Sequence, residues 1–317
     1  MTIWSFIENE LKNNRKTYLI TVIERKGSSP GKLGYKMAVA ENGKMEGSIG
    51  GGVMEVNMVE YAKKLLAENS SEIIIKRQIH NPDAGEDKSG LICSGEQTHA
   101  FIPIATEDLP VIKSIANAIR NEKSGNLSLS TKGISFTASD EPKSSVKCIV
   151  ENDNKWVYSE IFGKKDTMYI FGGGHVSIPV SKIFKMLSFK VVVCDNREGL
   201  STLEKNQYAD VKKIVDYKNA ASVIDDNSNN YVAIMTVSHA EDLLILEQML
   251  EKKLSYLGMI GSKNKVKNIF EKLIAGGISK EALSKVDAPM GIPIKCLTTE
   301  EIAVSIAAKV IEYKNES

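Results

Sequence analysis

The sequence predicts an α/β protein with two domains: an N-terminal α+β domain at 1–164, and a C-terminal Rossmann-like domain with a doubly wound parallel sheet at 165–317. With 317 residues, the chain is long enough for two hydrophobic cores. From Thr167 onward, short apolar runs alternate with amphipathic stretches, which is typical of a parallel sheet covered by helices. In each half, a glycine triplet also follows a short apolar run and precedes a predicted helix, at 50–52 and at 172–174.

The N-terminal elements are predicted from hydrophobic periodicity and turn residues. In chain order they are a helix at 2–14, strands at 18–24 and 36–40, a helix at 53–68, a strand at 73–79 and at least one strand within 91–104. The segment 106–164 is less regular, with a helix near 108–121 and short β-like pieces. It either completes the first domain or forms a small insert.

The C-terminal elements alternate regularly between strands and helices. Strands are predicted at 168–171, 190–194, 211–215, 231–237 and 256–260, and helices near 174–187, 240–253, 263–275 and 299–312. Because the first, fourth and fifth strands are each followed by a predicted helix, the strands are expected to run parallel.

The overall composition indicates a soluble globular protein. Hydrophobic residues make up 42% of the chain and charged residues 26%, and the net charge of +1 gives no basic field for nucleic acid. The four cysteines lack CxxC spacing, and the four histidines form no HExxH motif. No apolar run is long enough to span a membrane. We therefore expect a cytoplasmic protein whose partners are neither nucleic acid nor a membrane.

The first glycine triplet, Gly50, Gly51 and Gly52, is typical of a loop whose backbone N–H groups approach an anion at a helix N-terminus. Glu55 lies in the first turn of the following helix, where it would repel a phosphate. It is therefore expected to bind ligand donors or a metal, or to cap the loop. Cys93 lies in a glycine-flanked turn, and is either a core residue or a thiolate for a soft metal or sulfur.

The second triplet has the context of a dinucleotide-binding loop, with a strand before it and a helix after it. Gly172 and Gly174 are expected to approach a phosphate, and Asp195, at the end of the next strand, to accept from a ribose hydroxyl. Arg197 can pair with a phosphate instead, which leaves the choice between NAD and NADP open. His175 either donates to a phosphate oxygen or caps the loop. The alternative is a Rossmann-like sheet whose site is vestigial.

Two further strand ends carry polar residues, and the carboxyl ends of parallel strands form the ligand crevice of such sheets. Ser238 and His239 follow the fourth strand, although the Ser238 hydroxyl also fits a helix N-cap. Gly261, Ser262 and Lys263 follow the fifth, and offer N–H groups, a hydroxyl and a cation to a second anion. A plain helix start explains this tripeptide equally well.

Taken together, these motifs resemble the xanthine dehydrogenase accessory factors, the XdhC/CoxI family, over nearly the whole chain. The matching motifs are GSSP at 27–30, GSIGGG at 47–52 with Glu55, the turn at Cys93, GGGHV at 172–176, CDNR at 194–197, TVSHAED at 236–242, YLGMIGSK at 256–263, APMG at 288–291 and TEEIAVSI at 299–306. The family often has a cysteine where this chain has Val53, which leaves Cys93 as a single thiol ligand.

The resemblance implies a maturation factor that transiently binds molybdenum cofactor (molybdopterin) and delivers its sulfurated form to the apoenzyme of a molybdenum hydroxylase. The cofactor-binding residues would then be Gly50, Gly51, Gly52, Glu55, Cys93, Gly172, Gly174, His175, Asp195, Arg197, Ser238, His239, Gly261, Ser262 and Lys263. Cys93 would also be the metal ligand, and none of these residues would be catalytic. A cysteine desulfurase and a second copy of the chain are further expected partners, and a nucleotide or NAD(P) a further expected ligand. Related accessory proteins also serve selenium-dependent hydroxylases.

The competing interpretation is an NAD(P)-dependent oxidoreductase that uses Gly172, Gly174 and Asp195. Against it, the sequence shows no evident acid–base set for hydride transfer. A purely structural interaction protein is a third interpretation. We expect a carrier without turnover, in which the N-terminal glycine loop faces His175, His239 and the 261–263 tripeptide across a cleft between the domains.

Overall fold

The computed structural model describes residues 2–79, 95–121, 123–139, 147–162, 166–224 and 229–316. The chain divides into two compact units, at 1–164 and 165–317. The predicted fold class is confirmed, because the first unit has antiparallel sheets with helices and the second has a five-stranded parallel sheet.

The first unit contains three α-helices and nine strands among its described residues. They are α1 (Ile3–Lys12), β1 (Thr17–Lys26), β2 (Lys36–Ala40), β3 (Met45–Gly47), α2 (Gly52–Ala67), β4 (Ile74–Ile79), β5 (Glu96–Ile104), α3 (Leu109–Arg120), β6 (Gly125–Ser130), β7 (Gly133–Ala138), β8 (Lys147–Asn152) and β9 (Lys155–Phe162). One sheet has the order β3-β2-β1-β5-β4 and the other β7-β6-β9-β8.

Strand β1 lies at the centre of the five-stranded sheet and is buried on both faces. Tyr18 and Ile20 pack in a cluster with α2, whereas Leu19 packs in a second cluster with α1, α3 and the four-stranded sheet. Trp156 and Tyr158 of β9 belong to that second cluster. The segment after 106 therefore shares the core of the first unit, which is the first of the two possibilities that its sequence left open.

The second unit alternates strands and helices along the chain. They are β10 (Thr167–Phe171), α4 (Ser177–Met186), β11 (Lys190–Asp195), α5 (Ser201–Lys205), β12 (Val211–Ile214), a 3₁₀ segment (Tyr217–Val223), β13 (Asn230–Ile234), α6 (His239–Met249), β14 (Tyr256–Met259), α7 (Lys263–Ala275), α8 (Lys280–Leu283) and α9 (Thr299–Glu316). Strand β13 ends earlier than predicted, because the N–H and hydroxyl groups of Thr236 turn to the Asp242 carboxylate.

The parallel sheet has the order β12-β11-β10-β13-β14. The chain builds outward from β10 in one direction and then returns to build in the other, so the topological switch point lies between β10 and β13. Ligands of such sheets bind outside the carboxyl ends of the strands at this point. Across the described part of the chain, no helix combines the length and apolar character that a membrane span requires.

Candidate functional site

The glycine loop after β10 packs tightly against the neighbouring strand. Gly172 has a φ of 113°, and a Cβ atom there would lie 2.3 Å from the carbonyl oxygen of Met235. Its N–H donates to the carbonyl oxygen of Cys194 at 2.8 Å. Only glycine is compatible with both this backbone conformation and the close approach, so Gly172 shapes the loop. Its N–H is already used in a hydrogen bond to β11.

The next part of the loop is open. The N–H groups of Gly174, His175 and Val176 have no hydrogen-bond partner among the described residues. Ser177 begins α4, and both its N–H and its hydroxyl bond back to the carbonyl oxygen of Gly174, at 3.0 and 2.7 Å. A Cβ atom on Gly174 would meet no heavy atom within 4 Å. Three successive N–H groups at the start of a helix can hold an anion.

Asp195 is fully buried beneath this loop and accepts four hydrogen bonds. Its Oδ2 accepts from the Gly173 N–H at 2.7 Å and from Nη2 of Arg197 at 2.8 Å. Its Oδ1 accepts from the N–H and Nε of Arg197, at 3.0 and 2.8 Å. Burial alone raises the pKa of Asp195, but these hydrogen bonds outweigh it and hold the pKa below its ordinary value.

The four bonds fill the acceptor capacity of the Asp195 carboxylate. In this structure Asp195 therefore braces the glycine loop, and it has no free lone pair for a ribose hydroxyl. Arg197 is held by the same carboxylate through two of its side-chain nitrogens.

The other two strand ends begin helices with serine caps, as their sequences suggested. The Ser238 hydroxyl accepts from the N–H groups of Ala240 and Glu241, and the Ser262 hydroxyl accepts from the N–H of Lys265. The N-cap interpretation of Ser238 is therefore confirmed, and the 261–263 tripeptide includes the plain helix start that its sequence allowed. His239 and Lys263 are the first residues of α6 and α7, and both are exposed.

Sequence reasoning missed a buried ion pair behind these caps. Asp242 is fully buried, accepts from Thr236, and pairs with the Lys265 ammonium, whose side chain is 11% exposed. A Cβ atom on Gly261 would lie 2.7 Å from Cδ of Lys265, so this glycine makes room for the lysine side chain. The pair joins α6 to α7, and a partner on another helix leaves no local sequence signal.

The first glycine triplet also packs tightly. Gly50, Gly51 and Gly52 all adopt positive φ, and a Cβ atom on Gly50 would lie 2.5 Å from the backbone nitrogen of Gly31. Buried Gln97 joins the segment at Gly31 to this glycine loop. Its side-chain oxygen accepts from the Gly31 N–H at 3.2 Å, and its side-chain nitrogen donates to the carbonyl oxygen of Ile49 at 3.4 Å.

The Glu55 carboxylate occupies the nest that this triplet forms. Its Oε2 accepts from the Ser48 hydroxyl at 2.7 Å, from the Ile49 N–H at 2.8 Å and from the Gly51 N–H at 3.0 Å. Burial alone raises the pKa of Glu55, but these donors lower it below its ordinary value. The capping role considered for Glu55 is therefore the one seen, and the loop already holds an anion of its own.

The predicted thiol site cannot be placed. Cys93 lies outside the described residues, so its predicted roles as cofactor and metal ligand stay predictions. Within the ranges that the structure describes, no three His, Cys, Asp or Glu side chains gather as a metal site. Cys194 is buried in β11, and burial raises the pKa of its thiol to about 12, so it is an inert core residue.

Two family models match separate parts of the chain. The model described as "XdhC and CoxI family" matches residues 11–76, and the model described as "XdhC Rossmann domain" matches residues 168–310. The second match covers the parallel sheet and the open glycine loop.

Two proteins and one crystal structure are similar over most of this chain. An uncharacterized protein YqeB of Escherichia coli (strain K12) is 22% identical over 93% of this chain, which spans only 43% of that protein. A protein of Bacillus subtilis (strain 168) named as a probable xanthine dehydrogenase subunit is 22% identical over 96% of this chain and 95% of its own length. The crystal structure of a xanthine dehydrogenase from Bacillus halodurans covers 100% of this chain and 96% of its own, with 22% identity and a TM-score of 0.73. This likeness supports the fold.

Proposed function

Because this chain belongs to the XdhC and CoxI family, we propose that it binds molybdenum cofactor and delivers the sulfurated form to a molybdenum hydroxylase. The names of the Bacillus relatives place them with xanthine dehydrogenase, which supports a client of that type. The chain is then a maturation factor whose partner is the hydroxylase apoenzyme.

The open N–H triplet at the switch point is the observation that carries this proposal. Molybdopterin ends in a phosphate, and the N–H groups of Gly174, His175 and Val176 suit a phosphate at the start of α4. The exposed His175 ring can add a further donor. When bound, the cofactor supplies molybdenum–dithiolene redox chemistry, which the client enzyme uses. The residues of this chain hold and orient the cofactor.

The hydrogen bonds that occupy the Asp195 carboxylate favour a carrier of this kind over an NAD(P)-dependent oxidoreductase. A dinucleotide of the usual Rossmann type needs a carboxylate that accepts from its ribose. Here that carboxylate is already filled by Gly173 and Arg197. A ribose would have to displace a buried, charge-assisted pair, which is costly.

The test is retention of the cofactor by the purified full chain. The protein is incubated with molybdenum cofactor released from a molybdenum enzyme and desalted, and bound pterin is then identified by mass spectrometry. Gly174→Val leaves the fold intact, because Gly174 does not have positive φ and its Cβ space is open, but it covers the N–H groups. We expect retention to fall at least about tenfold.

Gly276→Val is the matched control. Gly276 is exposed at the end of α7 with a φ of −78°, and its Cβ would make only ordinary contacts of 3.4 and 3.5 Å. We expect this variant to retain cofactor as the wild type does. Retention of nicotinamide instead of pterin, or full retention by Gly174→Val, would contradict the proposal.

A further inference from the structure

The turn between β2 and β3 contains an asparagine followed by a glycine, Asn42 and Gly43. Both residues are exposed, and a Cβ atom on Gly43 would meet no heavy atom within 4 Å. Because glycine has no side chain, its backbone nitrogen is sterically free to approach the side-chain carbon Cγ of Asn42. An asparagine in this position can lose its amide without an enzyme, with water as the co-reactant.

The reaction converts the asparagine in two steps. In the first, the Gly43 nitrogen attacks Cγ of Asn42 and the Cγ–Nδ2 bond breaks. The proton of the Gly43 nitrogen leaves with the amide group as ammonia, and a cyclic succinimide remains. In the second, water adds to either carbonyl carbon of the ring and opens it. The products are aspartate and isoaspartate, in which the main chain runs through the side chain of residue 42, and no group is oxidised or reduced.

In the folded hairpin, both reacting groups are held by hydrogen bonds. The Gly43 N–H donates to the carbonyl oxygen of Ala40 at 2.9 Å. Asn42 accepts through Oδ1 from the Lys44 N–H at 3.0 Å, and donates through Nδ2 to Oε2 of Glu10 at 3.0 Å. The attack requires these bonds to break, so it proceeds from conformations in which the turn is transiently open.

The acceptor of the Asn42 amide is a buried carboxylate on another element. Glu10 of α1 is 1% exposed, and its Oε2 also accepts from Nε of Arg15. The hydrogen bond from Arg15 holds the pKa of Glu10 below its ordinary value, so Glu10 is ionised at neutral pH. The bond from Asn42 therefore joins the hairpin to α1, and it forms because an amide nitrogen is a donor.

We propose that Asn42 is a site of spontaneous deamidation that is gated by opening of the β2–β3 turn, and that its conversion releases the hairpin from α1. The product places a carboxylate oxygen where Nδ2 was, so two acceptors face each other and Glu10 is too buried for water to separate them. The charges of Arg15 and Lys44 also act on Glu10, and they reduce this repulsion without restoring the lost donor.

The rate of conversion is measured on the purified full chain at mildly alkaline pH. Trypsin releases residues 37–44 as one peptide. Mass spectrometry detects the replacement of NH₂ by OH, and chromatography separates aspartate from isoaspartate. A sample digested before the incubation corrects for conversion during digestion. We expect the folded chain to convert at least about tenfold more slowly than the synthetic peptide 37–44, whose turn is not held.

The same digest contains a control from the β8–β9 hairpin. Its peptide, residues 148–155, carries Asn152 and Asn154, and neither is followed by glycine, so it should stay unmodified over the same period. Equal rates in the folded chain and in the peptide 37–44 would show that the fold does not gate the reaction. No conversion in the folded chain, even just below its melting temperature, would overturn the proposal as well.

The variant Asn42→Asp tests the release from α1 directly. Aspartate can still accept from the Lys44 N–H, so the substitution changes mainly the contact with Glu10. We expect a lower urea midpoint, and faster cleavage of the native chain by trypsin after Lys12 and Arg15. Asn154→Asp, at an exposed turn position, should leave both unchanged.

A double-mutant cycle assigns the effect to Glu10. In a Glu10→Gln background, the glutamine amide can donate to the new carboxylate, so Asn42→Asp should lower the urea midpoint by less than it does in the wild type. The same loss in both backgrounds would remove Glu10 from the release and refute that part of the proposal.

Discussion

The two glycine triplets have the same sequence, but the N–H groups of their two loops differ in whether they have a hydrogen-bond acceptor. In the first, the donors at Ile49 and Gly51 are used by Glu55. In the second, three donors after Gly173 are open. The residue three positions after each triplet makes the difference: Glu55 accepts from the loop, whereas Ser177 donates to a loop carbonyl. A glycine triplet alone therefore does not establish a ligand site.

The comparison also assigns the two loops different roles. The first loop is complete without a ligand, and an incoming phosphate would first have to displace the Glu55 carboxylate. The second can take a phosphate without moving a side chain. We therefore expect the second unit to bind the phosphate of the ligand. The prediction that the N-terminal loop faces His175 and His239 stays a prediction.

The largest expected effect is a loss of stability when a glycine that packs against a neighbouring strand is replaced, compared with a glycine whose surroundings are open. Gly172→Ala places a Cβ 2.3 Å from the Met235 carbonyl oxygen at a φ of 113°. We expect a loss of about 3 kcal/mol or more in the free energy of unfolding, measured by urea denaturation. Gly174→Ala should change it by less than about 0.5 kcal/mol. Equal losses in the two variants would show that both glycines shape the loop.

The next prediction concerns a variant of the first loop whose N–H groups are left open, as they are in the second loop. Glu55→Ala removes the acceptor of three donors, and we expect a loss of about 1–2 kcal/mol in the free energy of unfolding. Inorganic phosphate should then raise the melting temperature of the variant more than that of the wild type, because the emptied nest can bind it. Glu60→Ala, an exposed position on the same helix, serves as the control. A melting temperature of Glu55→Ala that phosphate does not change would mean that the nest collapses without its carboxylate.

A smaller effect measures the strain in the first loop. A Cβ atom on Gly51 meets no heavy atom within 4 Å, but its φ is 76°. Gly51→Ala should therefore cost about 1 kcal/mol from backbone conformation alone. Thermal or urea unfolding gives this value. A cost as large as that of Gly172→Ala would contradict the distinction between an open and a packed glycine.

The smallest effect is the pH dependence that Glu55 contributes. Its folded-state pKa lies below the ordinary value of 4.5, so its contribution is fully present above that value and is lost as the pH falls through the folded-state pKa. The stability difference between wild type and Glu55→Gln should therefore shrink on acidification below about pH 4.5 and stay constant from pH 6 to 8. A difference that grows on acidification would reverse the sign of the assigned shift.

Local patterns predicted the fold and part of the site. The alternation of strands and helices after Thr167 predicted the parallel sheet, and the cap at Ser238 was visible because a cap needs only neighbours in sequence. The glycine loops were also placed correctly between strand and helix.

The use of each group in the site could not be predicted, because it depends on partners distant in sequence. The bond between Asn196 and Glu241 and the ion pair between Asp242 and Lys265 join residues from different elements. Asp195 looked like a free ribose acceptor, since nothing in the sequence shows that Gly173 and Arg197 fill it. Hydrophobic periodicity gives the placement of elements, not the rotamers that decide which donors stay open.

The tight contact between Gly172 and Met235 has a consequence for the timing of folding. Met235 follows β13, and its N–H donates to the carbonyl oxygen of Phe171 at the end of β10. On the ribosome, β10 is synthesised well before β13, with α4, β11, α5 and β12 between them. Until β13 arrives, one edge of β10 is unpaired, and the glycine loop lacks the strand against which it packs. We therefore expect the open N–H groups of this loop to be able to bind an anion only after this late pairing is made.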